Sequence, residues 1–99
     1  MVDGIVRATA ARWVSDDFPG WIECEVVDTE GRSHRVVEKA PILRAEFIMA
    51  SPNFPFELWL RARCDHVDGG TAVIQFRDGV TTTEGLNEVR VNLNAIRWD

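Results

Sequence analysis

Several residue types on which chemistry is commonly built are scarce in this chain of 99 residues. Serine occurs only at Ser15, Ser33 and Ser51, each in or beside a stretch that reads as a turn, and no G-x-S-x-G elbow is present. A serine nucleophile held beside a base therefore has no foothold. Neither G-x-G-x-x-G nor a Walker pattern occurs, which excludes glycine-rich phosphate cradles of the usual kind. No run of about 18 apolar residues could span a bilayer. The opening Met1-Val2-Asp3-Gly4 has neither the basic start nor the apolar run of a secretory signal, so the expected compartment is the cytosol.

Lysine appears only at Lys39, and the other ten basic residues are arginines. Set against sixteen carboxylates they leave a net charge of -5, which repels phosphate backbones unless the positive groups gather on one face. Nucleic acid and membranes are thus disfavoured as partners, and a basic protein is favoured. The apolar share of 45% and charged share of 27% are those of an ordinary globular chain rather than a disordered or fibrous one. Residues 1-99 are expected to form one domain that buries roughly 65% of its unfolded surface, so no disulfide or metal staple is required.

What the sequence does contain is alternation. Phe56, Leu58, Leu60, Ala62 and Cys64 alternate with Glu57, Trp59, Arg61, Arg63 and Asp65; then Gly69-Gly70 leads into Ala72, Ile74 and Phe76. Successive side chains leave a strand on opposite sides, so a period of two with one apolar face predicts a half-buried antiparallel hairpin. Ile5 to Ser15 reads the same way, with Val6, Ala8 and Ala10 inward and a slip of phase near Arg12-Trp13 that marks a bulge. Asp16-Asp17-Phe18-Pro19-Gly20 interrupts the chain before a second strand, Trp21 to Asp28.

Asp28-Thr29-Glu30-Gly31-Arg32 has the form of a three-residue hairpin loop, with Gly31 in the left-handed position. That register sets Val26 opposite His34, Glu25 opposite Arg35 and Cys24 opposite Val36, and predicts a Glu25-Arg35 pair. A third strand runs from Ser33 to Ala40. Leu43, Phe47 and Ala50 fall at helical spacing, which allows at most one short helix near 43-50 before Pro52. Thr81 to Thr83 reads as a short edge strand, and Val89, Val91 and Leu93 begin a last strand running towards Ile96 and Trp98. Five or six strands in 99 residues predict an all-β fold: a small antiparallel barrel, with an OB-like order as one arrangement and a two-sheet sandwich as the alternative.

No constellation of catalytic residues emerges, and neither a metal nor a cofactor is expected. Cys24 shares a face with His34, and Cys64 shares one with His66. Two thiolates and two imidazoles suit tetrahedral zinc or a thiol enzyme only if the two hairpins stack in one particular way. Inert core cysteines are the simpler reading. Aromatic rings beside stiff corners carry the functional expectation instead. Phe18 and Trp21 flank one proline-containing loop, and Phe54 begins another; such rings either fold back to plug the barrel ends or contact a partner.

Trp59 is sent outward with Arg61 and Arg63, where it is either covered by another element or exposed as an aromatic-arginine patch. The sequence therefore points to a small non-enzymatic binding module that contacts another protein through Phe18, Trp21, Phe54, Trp59, Arg61 and Arg63. An inhibitor or immunity-type partner of a basic protein is one example, and two copies of the chain could pair in the same way. The alternatives are an OB-like single-strand binder that stacks bases on Trp59, and the metal or thiol enzyme already named.

Overall fold

A computed structural model of the chain describes residues 2-43 and 53-98. Among the described residues seven strands run in the order β1 (Val2–Ser15), β2 (Trp21–Val27), β3 (Ser33–Lys39), β4 (Phe56–Asp68), β5 (Thr71–Phe76), β6 (Glu88–Asn92) and β7 (Ile96–Trp98). Six of them form one antiparallel sheet in the spatial order β3-β2-β1-β4-β5-β6, curled into an open half-barrel, and β7 pairs with β1 off this path. Among the described residues there is one sheet, and the sandwich alternative is set aside. Its halves are two meanders joined through the β1–β4 pairing.

Alternation builds this shape. Val6, Ala8 and Ala10 of β1, Ile22, Cys24 and Val26 of β2, Leu60, Ala62 and Cys64 of β4, and Ala72, Ile74 and Phe76 of β5 are all buried on the concave side. Each buried valine, leucine or isoleucine among them contributes about 1.5–3 kcal/mol, and each alanine less. The phase slip near Arg12 is a bulge: Ala10 pairs with Cys24 and Arg12 with Glu23, leaving Ala11 over. The added residue keeps Trp13 inward, packed against the core.

The β2–β3 hairpin has the predicted register, with Val26 opposite His34 and Cys24 opposite Val36. Gly31 adopts φ +79°, and the Asp28 N–H donates to the Arg32 carbonyl at 2.9 Å. The predicted Glu25-Arg35 ion pair is absent. Arg35 reaches Glu23 at 4.0 Å, a diagonal neighbour that also holds Arg12 at 3.3 Å.

Two further expectations are corrected, and a third is left untested. Residues 81–83 form no strand; they lead into a turn in which the Leu86 and Glu84 N–H groups donate to the buried Thr82 hydroxyl. The last strand is broken by a 3-10 turn at Leu93–Ala95; the Leu93 N–H still bonds the Gly70 carbonyl at 2.9 Å, one step beyond Thr71 opposite Asn92, where β5 has run out as a partner. The chain then returns as β7 to pair Gly4 with Trp98. The short helix expected near 43-50 lies outside the described residues, apart from Leu43, which is buried.

The outermost strands β3 and β6 do not pair with each other in the sheet path. Two backbone bonds reach across near this open side: Thr29 N–H to the Arg90 carbonyl at 3.0 Å, and Thr83 N–H to the Arg35 carbonyl at 2.8 Å. The return of β7 depends on Gly4, since a Cβ there would lie 2.8 Å from the Arg97 carbonyl oxygen. Gly4→Ala is expected to displace β7 and lower stability by about 1–3 kcal/mol, the usual range for forced overpacking. Urea unfolding of the two proteins would measure it.

Candidate functional site

The residues expected to meet a partner fall on two separate surfaces. Phe18, Trp21 and Phe54 gather at the barrel end where β1 stops and β2 begins. Trp59, Arg61 and Arg63 lie on the convex face of β4. The register places Arg7 opposite Trp59, and Trp13 follows Arg7 by six residues, so the two surfaces are roughly 20 Å apart at about 3.3 Å per residue.

At the barrel end the β1–β2 loop is tied at several points. The Asp17 N–H donates to Ser15 Oγ at 3.3 Å, the Gly20 N–H to the Asp17 carbonyl at 2.6 Å, and the Ala40 N–H to the Gly20 carbonyl at 2.8 Å. Gly20 has φ +85° and sits so close to Trp13 that a Cβ would lie 2.9 Å from its ring. A glycine is required there on both counts. The Phe18-Pro19 and Phe54-Pro55 peptide bonds are both cis.

The two phenylalanines behave differently. Phe54 folds back, with its ring 5.9 Å from that of Trp13 at 78° and 5.2 Å from that of Phe56, and it packs against the core. Phe18 is 99% exposed. Its neighbours Asp16 and Asp17 are exposed too, as are the apolar Val14 and Ile42 at the same end. Trp21 is half-buried, and Lys39 lies over its ring at 5.6 Å.

On the convex face the arginines are paired. Arg61 meets Asp78 at 3.6 Å, and Asp3 holds both Arg63 at 3.3 Å and Arg77 at 3.5 Å. Trp59 is half-buried; its indole N–H donates to Glu57 at 2.9 Å, and the Arg97 guanidinium stacks over the ring at 4.1 Å. One face of the indole is therefore covered by β7. Sequence reasoning could not name Arg97, Asp3 or Asp78 as partners here, because each comes from another part of the chain.

The cysteines and histidines do not assemble as a zinc set would. Cys24 and Cys64 are buried free thiols, and burial together with the Glu23 carboxylate pushes Cys24 up to about 12, far from a reactive thiolate. A second bulge, between Cys64 and His66, turns His66 outward, so the two do not share a face. His34 is engaged with Asp28 at 2.7 Å. Among the described residues no group of three or more His, Cys, Asp or Glu side chains is placed to hold a metal ion, and no helix is long and apolar enough to cross a membrane.

The sequence matches no family model, no curated protein and no solved structure.

Asp28, at the start of the β2–β3 turn, is a feature that strand alternation does not single out. Its Oδ1 accepts the Glu30 N–H at 2.8 Å and the Arg32 N–H at 2.9 Å, while Oδ2 meets His34 Nε2. The bond with His34 lowers the Asp28 carboxyl below its ordinary range; burial opposes this, and the Arg32 and Glu30 amides reinforce it. A depressed folded-state value means that the unfolded chain takes up the proton first. The resulting stability is present above the ordinary aspartate value, about 3.9, and is lost as pH falls through the lower folded value. Asp28→Asn is expected to flatten the acid limb of stability against pH, which thermal melts between pH 7 and strongly acid pH would record.

Proposed function

We propose that this protein is a non-enzymatic, cytosolic binding module that engages a basic protein through the β1–β2 loop, with Phe18 as the anchor. The observation that carries this reading is an apolar ring 99% exposed on a loop tied to the sheet at Ser15, Asp17 and Gly20. Burying such a side chain on a partner contributes about 1.5–3 kcal/mol, and a loop already held in place loses little freedom when it binds. Asp16 and Asp17 flank the ring with negative charge, in a protein whose net charge is -5. A partner with an apolar recess rimmed by lysine or arginine complements both features. An inhibitor of a basic enzyme would have this form.

Trp21 stands beside the loop and extends the contact, whereas Phe54 supports it from inside by packing on Trp13. The Trp59 face supports partner binding less strongly. Its arginines Arg61 and Arg63 already meet carboxylates, and Arg97 occupies one side of the indole that a nucleic-acid base would need.

Affinity capture from host lysate with the intact protein, Phe18→Ala and Trp59→Ala tests the reading. The proteins retained by the intact chain are expected to be lost with Phe18→Ala and kept with Trp59→Ala. Stability of Phe18→Ala should stay within about 0.5 kcal/mol of the parent, as for a surface change. With the retained partner purified, Asp16→Asn with Asp17→Asn should slow association at low salt and leave dissociation nearly unchanged. Retention of the same proteins by Phe18→Ala would remove the loop from the contact.

A further inference from the structure

We propose that a polar notch on the edge of β1 binds a small α-amino acid as its zwitterion. The proposal is independent of the Phe18 surface. One edge of β1 is paired with β4 from Val2 to Ala10. The other edge is shared: β7 covers Gly4 to Val6, and β2 begins at Thr9. Among the described residues, Arg7 and Ala8 have no strand partner on that side.

A cavity of about 150 Å³ opens in this gap, lined by Arg7, Thr9, Glu25, Asn92 and Asn94. The buried Ala8 and Ala95 and the exposed Val27 complete the lining. Arg7, Thr9, Asn92 and Asn94 are exposed and Glu25 is half-buried, and their side chains, like that of Arg90 elsewhere, make no hydrogen bond or ion pair with other described residues. Arg12, Arg32, Arg35, Arg61 and Arg77 each lie within 4.0 Å of a carboxylate. Arg7 and Glu25 form no ion pair among the described residues, either with each other or elsewhere, and the Thr9, Asn92 and Asn94 side chains form no hydrogen bond among them.

The wall therefore offers a guanidinium from β1, a carboxylate from β2, one amide from the end of β6 and one from the 3-10 turn that follows it. Those groups suit a ligand that carries both charges. Its carboxylate takes the Arg7 fork, its ammonium takes Glu25, and the asparagine amides supply further donors and acceptors. A simple anion would meet Glu25 and also Glu57, which faces Thr9 in the β1–β4 register. A simple cation would meet Arg7. A space of about 150 Å³ accommodates a ligand of the size of glycine or alanine.

Nuclear magnetic resonance of the intact ¹⁵N-labelled chain, titrated with L-alanine, tests the site. Saturable shifts are expected at the Arg7, Ala8 and Thr9 amides and at the Asn92 and Asn94 side-chain amides, with a Kd on the order of 1 mM, within reach of so few atoms. Arg7→Ala and Glu25→Gln should each weaken binding about tenfold, the usual effect of losing a charge-assisted bond. Acetate and methylammonium, each carrying one half of the ligand's charge, should bind at least about tenfold more weakly than alanine. Absence of saturable shifts, equal binding of acetate, or undiminished affinity in both variants would overturn the proposal. The amide pattern of β5 serves as the check that both variants remain folded.

Discussion

Strand β1 is the constraint on which the rest depends. It runs for 14 residues, and one edge pairs with β4 while the other is divided between β2 and β7. Val6, Ala8 and Ala10 form the middle of the concave core, and the small alanines allow the sheet to curl tightly over them. A shift of one residue in its register would turn this apolar set to solvent. The bulge near Ala11 resets the phase so that Trp13 still faces inward. That ring then supports Gly20 on one side and Phe54 on the other. The presentation of Phe18 at the barrel end is thus a consequence of how β1 ends.

The same strand organises the surface charge. On the convex face, Asp3 of β1 holds Arg63 of β4 and Arg77 beyond β5, and Asp78 holds Arg61. Most of the positive charge on that face is neutralised within the molecule. The loop after β1 has no such compensation around Asp16 and Asp17 among the described ion pairs, although Lys39 lies over the nearby Trp21. An acidic loop with a bare aromatic ring and a balanced sheet face make the barrel end the more distinctive contact surface. The gap left on β1 between β7 and β2 adds a small polar recess of a different chemical character.

The open side of the half-barrel is managed by loops. The β2–β3 turn reaches Arg90 of β6 through Thr29, and its shape is maintained by Asp28, whose carboxylate serves two backbone amides and His34. The edge strands therefore have contacts near the seam without a continuous ladder. This arrangement limits the exposed main chain available for edge pairing.

Much of the framework was legible in the amino-acid pattern. Alternation identified the strands, the Asp28-Gly31 segment set the β2–β3 register to the residue, and the phase slip at Arg12-Trp13 located a bulge, because these features depend only on near neighbours in the chain. The partners of Arg61, Arg63 and Trp59 were not legible, and neither was the break at Leu93 that sends β7 back to Gly4. Phe18 and Phe54 precede prolines in similar local sequences, yet one ring is bare and the other packed. By itself the sequence determined which side of each strand is apolar, since side-chain direction alternates with a period of two. Only the tertiary structure decided which outward groups meet, because curling brings together residues far apart in the chain and local pattern carries no record of that distance.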